Sequence, residues 1–124
     1  MDLRRSVGKR GEEEAARFLG KLGLTILDRN VRSRLGEIDM VARDGKTLVF
    51  VEVKARREAE GDPPQAGVTA AKQRRLAQLA QHYLKWKRLG EVSCRFDVVA
   101  VTLDARDRVK TLRHLPAAFE VGAW

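Results

Sequence analysis

LVFVEVKAR, residues 48–56, begins as a strand for a protein interior and then changes character. Leu48, Val49, Phe50 and Val51 make an apolar, β-prone run of the kind buried on both faces of a sheet. Charge then enters at alternate positions, Glu52 and Lys54, which lie on one face because strand side chains alternate with a period of two. An acid and an amine delivered together at the end of a buried strand call for a partner.

The preceding segment, GEIDMVARDG at residues 36–45, supplies one. Ile38 to Ala42 and Thr47 to Val53 are strand candidates on either side of Asp44-Gly45, a strong hairpin signal. A two-residue turn there sets Arg43 against Lys46, Glu37 against Glu52 and Asp39 against Phe50. Asp39 then shares a face with Glu52 at a diagonal distance of about 7–8 Å between backbones. A four-residue loop would keep this parity and bring Asp39 directly opposite Glu52, whereas a three-residue loop would destroy it.

Gathered carboxylates repel and are costly to desolvate, so something must neutralise them. A hard divalent cation does so with oxygen ligands, completing its shell with water and substrate phosphate. A lysine beside it can serve the attacking water or offset charge developing on the phosphate. An ion-pair network in which Lys54 neutralises Asp39, Glu37 or Glu52 accounts for the same residues without a metal.

The rest of the chain sets bounds. Its 124 residues fit one domain spanning 1–124, with enough length for a real core. Twenty-five Lys and Arg against 17 Asp and Glu leave a net charge of +8, which favours a polyanionic partner. The single cysteine, Cys94, excludes an internal disulfide and a multi-cysteine zinc site, and reads as a small buried hydrophobe. No window approaches the roughly 18 apolar residues of a membrane span, and the amino-terminal segment lacks a signal core, so no membrane and a cytoplasmic location are expected.

Ala15, Phe18, Leu19 and Leu22 recur at helical spacing between Glu12 and Leu22, with Gly23 as the stop. Helical phase turns Glu12 toward that apolar stripe and Glu13 away from it. Glu12, Glu13 and Glu14 could equally complement the positive end of a helix beginning there. Residues 24–32 read as a strand running into the basic positions Arg29, Arg32 and Arg34, and residues 57–67 as a loop. A second helix is expected over Thr69–Leu89, with Leu76, Leu79, Ala80 and Tyr83 inside and Gly90 as its stop. It carries Lys72, Arg74, Arg75, Lys85, Lys87 and Arg88 without an acid, and Lys72 falls on the inner stripe, where it needs a partner. Residues 93–103 form a further strand and 108–115 a short edge strand. His82 and His114 lack zinc-ligand spacing, Tyr83 and Trp86 read as core or interface residues, and the apolar segment 117–124 as an interface or a cover for the sheet.

Asp39, a gap, then Glu52-Val53-Lys54 resembles the PD-(D/E)XK nuclease signature. With Gly8 to Glu12, Arg29-Asn30, residues 36–45, residues 48–56, Lys72 with Arg75, and RFDVVAV at 95–101, nearly the whole chain resembles the YraN-type family of small bacterial nuclease-like proteins. More distantly it is similar to archaeal Holliday junction resolvases, whose site residues match Glu12, Arg29, Asp39, Glu52 and Lys54; the signature proline is Ile38 here and Glu37 is an additional acid. The resemblance implies an α/β fold of the restriction-endonuclease-like type, a central mixed sheet flanked by helices in the order α-β-β-β-α-β(-β). It implies a nuclease that hydrolyses phosphodiester bonds in DNA, branched or structured, with Mg²⁺ as cofactor and Mn²⁺ as substitute. Asp39, Glu52 and the Val53 carbonyl would hold the metal, Lys54 would serve the water, and Glu12 would assist a second metal or anchor Lys72. Arg29, Arg32, Arg34, Lys72 and Arg75 would contact phosphates, and a homodimer would supply two active sites for a duplex. The competing expectation is a non-catalytic nucleic-acid-binding module of the same fold, working in a repair or recombination complex.

Overall fold

A computed structural model describes residues 3–58 and 68–120. The elements run α1 (Leu3–Lys21), β1 (Thr25–Ser33), β2 (Gly36–Asp44), β3 (Thr47–Arg57), α2 (Ala70–Trp86), β4 (Cys94–Leu103) and β5 (Val109–Phe119). The five strands form one mixed sheet in the order β1-β2-β3-β4-β5. Only β3 and β4 are parallel, as the α2 crossover between them requires. This is the α/β architecture expected, with β5 extending beyond the short edge strand anticipated at residues 108–115. Pro116 lies within β5, at an edge where a missing N–H interrupts no ladder.

The alternation of β3 builds a core on each side. Val49 and Val51 face Ala15 and Leu19 of α1 together with Met40, Val99 and Val101. Leu48 and Phe50 face Leu76, Leu79, Ala80 and Tyr83 of α2. The four predicted inner residues of α2 are thus its buried residues. Cys94 is half-buried at the edge of this second core, and burial raises its thiol pKa.

Helix α1 closes at Gly23 as expected, whereas α2 stops short of Gly90. In α1, Gly23 takes φ +98°, Leu24 N–H reaches Leu19 C=O and Gly23 N–H reaches Gly20 C=O, a Schellman closure. Leu22, expected on the inner stripe, is left 54% exposed. In α2 the left-handed residue is Arg88 at φ +53°, with Leu89 N–H bonded to Leu84 C=O, so the helix stops before Gly90. Thr69 caps its start by accepting the Lys72 N–H.

The β2–β3 hairpin turns at Gly45-Lys46 rather than Asp44-Gly45. Asp44 pairs with Thr47, Arg43 with Leu48 and Val41 with Phe50. Gly45 at φ +59° is the first turn residue, where a tight hairpin favours glycine. The register therefore moves by two residues from the expected one. Parity survives, but Glu37 does not face Glu52; it pairs with Arg32 of β1. Part of the expected 57–67 loop, from residue 59, and the end of the apolar carboxy-terminal segment, from residue 121, lie outside the described residues.

Candidate active site

The β2–β3 ladder ends at Met40 opposite Val51. One step further, the register brings Asp39 level with Glu52. Strand alternation fails here: Ile38 packs in the α2-side core while Met40 packs in the α1-side core. The backbone turns about Asp39 and directs its side chain into the gap between the separating strands. There Oδ2 accepts the Val53 N–H at 2.8 Å, replacing the lost ladder bond. Because the N–H and C=O of one strand residue project the same way, the Val53 carbonyl is directed toward that gap as well.

On the α1 side, Asp39 joins Glu12 and Glu37, each of the three offering one carboxylate oxygen within 4.8 Å of the others. Glu12 is nowhere near a helix start, since α1 begins at Leu3, so the dipole reading does not apply to it. Gly11 explains its position: a methyl group there would overlap Ala55 Cβ, so glycine lets α1 sit against β3 and brings Glu12 over the sheet. Asn30, in the left-handed region at φ +53°, donates both amide hydrogens, to Glu12 Oε1 at 2.8 Å and Glu37 Oε1 at 2.7 Å. Arg32 Nε lies 3.5 Å from Glu37 Oε2.

On the α2 side stand Glu52, Lys54 and Lys72. Glu52 is 8% exposed and is ion-paired with Lys72, whose partner is therefore Glu52 rather than Glu12. Lys54 is half-buried, and burial followed by repulsion from Lys72 lowers its pKa, partly opposed by Glu52. Asp39 joins the two groups electrostatically. Burial, then Glu52, then Glu12 and Glu37 raise its pKa to about 7 against the opposing Val53 hydrogen bond.

Beside the acid trio opens a pocket of about 570 Å³ whose wall carries Lys9, Arg29 and Arg32 as well as Glu12 and Glu37. Arg34 and Arg75 are exposed nearby, Arg34 in the β1–β2 turn and Arg75 on α2, where its Cδ would lie 3.5 Å from a Cβ at Gly36. His82 is exposed on α2. His114 instead belongs to a structural cluster, contacting the fully buried Asp97 at 2.8 Å beside the Arg95 guanidinium and the Ala117 N–H.

Residues 11–101 match the family described as Uncharacterised protein family UPF0102. The chain belongs to this family. UPF0102 is the YraN family, so the resemblance drawn from the motifs is borne out. A UPF0102 protein of Pelotomaculum thermopropionicum is 50% identical over 118 residues, covering 95% of this chain and 98% of its own. One of Geobacter sulfurreducens is 49% identical over 115 residues, covering 93% and 89%, and one of Symbiobacterium thermophilum is 56% identical over 101 residues, covering 80% and 84%. The UPF0102 match spans α1 from Gly11 to most of β4, and so contains Glu12, Asn30, Glu37, Asp39, Glu52 and Lys54.

Glu37 and Asn30 are the two site residues that sequence reasoning left without a role. Their signal was present, as an additional acid in GEIDMVARDG and an asparagine after Arg29. Only the β1–β2 pairing brings them together. Among the described residues no helix is long and apolar enough to cross a membrane.

Proposed function

We propose that this protein is a Mg²⁺-dependent nuclease that hydrolyses phosphodiester bonds in DNA, with branched or otherwise structured DNA as its substrate. The observation that carries the reading is the convergence of Glu12, Glu37 and Asp39 at the edge of a pocket rimmed with cations. The donor set fits a hard divalent ion: three carboxylates from two elements, α1 and β2, one of them raised by burial and by its acid neighbours to a pKa of about 7. Asp39 would be the central ligand, with Glu12 and Glu37, the Val53 carbonyl and, once released from Lys72, Glu52 as the others. When bound, the ion supplies Lewis-acid polarisation of the phosphoryl group and neutralises charge on it.

The chain's own groups do the rest. Lys54 gives up its proton more readily than an exposed lysine, so Nζ can take the proton of the water attacking phosphorus as the ester P–O bond breaks. Asn30 holds Glu12 and Glu37 in place through its two hydrogen bonds. Arg29, Arg32 and Lys9 bind the phosphates on either side of the reacting one, and Arg34, Lys72 and Arg75 extend the cationic track. Affinity then falls steeply with salt as counterions are released. Cutting both strands of a duplex calls for two active sites, so the working form is a homodimer, and such an activity belongs in the cytoplasm with the chromosome.

The Lys72–Glu52 ion pair favours a second reading, a nucleic-acid-binding module that keeps the acids without turnover. One assay separates the two. Purified protein is incubated with linear, nicked and junction DNA in Mg²⁺ or Mn²⁺, beside Asp39→Ala and Glu52→Ala. The nuclease reading expects cleavage lost in both variants. Cleavage indifferent to both substitutions marks a contaminant and overturns it, and binding without cleavage supports the module.

A further inference from the structure

A second groove lies between β1 and α2, enclosing about 380 Å³, within the roughly 300–1,000 Å³ range of small-ligand sites. Val31, Ile38, Leu79 and Tyr83 give it an apolar lining, and Trp86 stands at its α2 side. Trp86 is 61% exposed yet held in place. The Tyr83 ring meets it edge-on at 6.0 Å between centroids, and Lys87 Nζ sits 4.3 Å from its centroid. The cation lies over the indole, and most of Trp86 remains exposed. Among the described residues of the lining the one acid is Asp28, engaged by the Tyr83 hydroxyl at 2.6 Å and by Lys87 at 3.5 Å.

Arg29 and Arg32 line both this groove and the pocket at the acid trio. A phosphate bound to these arginines is therefore next to the reacting phosphate on one side and to an aromatic groove on the other. A base stacked in a duplex cannot turn into such a groove; a base outside the stack can, and aromatic rings bind it without regard to sequence.

We propose that the β1–α2 groove seats one unpaired nucleotide flanking the scissile phosphate, its base against Trp86 and its phosphate on Arg29 and Arg32. This deepens the nuclease reading and rests on it, because it narrows the substrate to DNA with a nucleotide out of the helix.

The test is fluorescence anisotropy without divalent cation, so that binding is read apart from cleavage. Three labelled DNAs of equal length serve as probes: a perfect duplex, a duplex with a short unpaired bulge, and a single strand. Trp86→Ala is expected to weaken binding of the bulged and single-stranded DNAs about tenfold while changing the perfect duplex less than twofold. Trp86→Phe, which keeps a ring, is expected to restore most of the loss, and both variants to melt at the wild-type temperature. Equal loss on all three DNAs, no loss on any, no binding to any DNA, or a loss of self-association in Trp86→Ala each overturns the proposal. The nuclease reading fails separately: the expected binding pattern without cleavage of any DNA sinks turnover and keeps the groove, while Asp39-dependent cleavage indifferent to Trp86 does the reverse.

Discussion

The Asp39 carboxylate accepts the Val53 N–H at 2.8 Å in the gap where β2 and β3 part, which makes one acid both the end of the sheet ladder and the centre of the charge cluster. An acid in that position is stabilised by its hydrogen bond and destabilised by its burial and neighbours, and the second effect dominates.

Its pKa gives the first prediction. A carboxyl raised from 3.8 to about 7 contributes stability in its protonated form, fully present below 3.8 and lost as pH rises through 7. Asp39→Asn keeps an oxygen for Val53 and removes the charge. Without metal, the stability of the variant relative to wild type should rise by roughly 3 kcal/mol between pH 5 and pH 8, at 1.36 kcal/mol per pH unit over the part of that range below the folded pKa. Urea unfolding at the two pH values checks it; a constant difference would mean that Asp39 is an ordinary carboxylate.

Lys72→Met should expose the dependence of Glu52 on its partner. Glu52 is 8% exposed while the Lys72 side chain is 47% exposed, so solvent weakens the pair and the loss should be about 1–2 kcal/mol rather than that of a fully buried bridge. The double variant with Glu52→Gln should recover most of it. A double-mutant cycle with no coupling energy would contradict the pair.

Gly11→Ala introduces a methyl group where Ala55 Cβ already lies. The collision should cost about 1–3 kcal/mol and displace Glu12, weakening divalent-cation binding. Ala55→Gly in the same chain opens the space and should restore both. Unfolding and metal titration of the single and double variants test this, and rescue of stability without rescue of metal binding would separate Glu12 from the cation.

Asn30→Gly preserves a backbone that needs φ +53° but deletes the amide that bridges Glu12 and Glu37. Stability should change by less than about 1 kcal/mol, since lost hydrogen bonds at an exposed site are replaced by water. Affinity for Mg²⁺ should fall, because the two acids are then free to move apart. Unchanged affinity would show that Asn30 has no organising role.

How much of this was legible follows from locality. The inner face of α2 depends only on helical spacing, and Leu76, Leu79, Ala80 and Tyr83 are where that spacing puts them. The shared face of Glu52 and Lys54 depends only on strand alternation. The hairpin register depended on which residue of Asp44-Gly45-Lys46 opens the turn, and glycine at the first turn position moved the pairing by two residues while leaving parity intact. The reversal at Asp39, with Ile38 and Met40 in opposite cores, has no periodic signature at all. Nor does the Asn30 bridge, which needs α1, β1 and β2 in place before its two acceptors exist. Leu22 fits the helical stripe but follows the last helical residue, so the chain turns it outward.

The most direct measurement is Mg²⁺ titration calorimetry of the wild-type protein and Asp39→Asn in buffers of different ionisation enthalpy near pH 6.5. Uptake of the ion by the wild type, with a proton released as Asp39 ionises, and no uptake by the variant is the predicted result. Equal binding by both proteins, or none by the wild type, would contradict a metal site centred on Asp39.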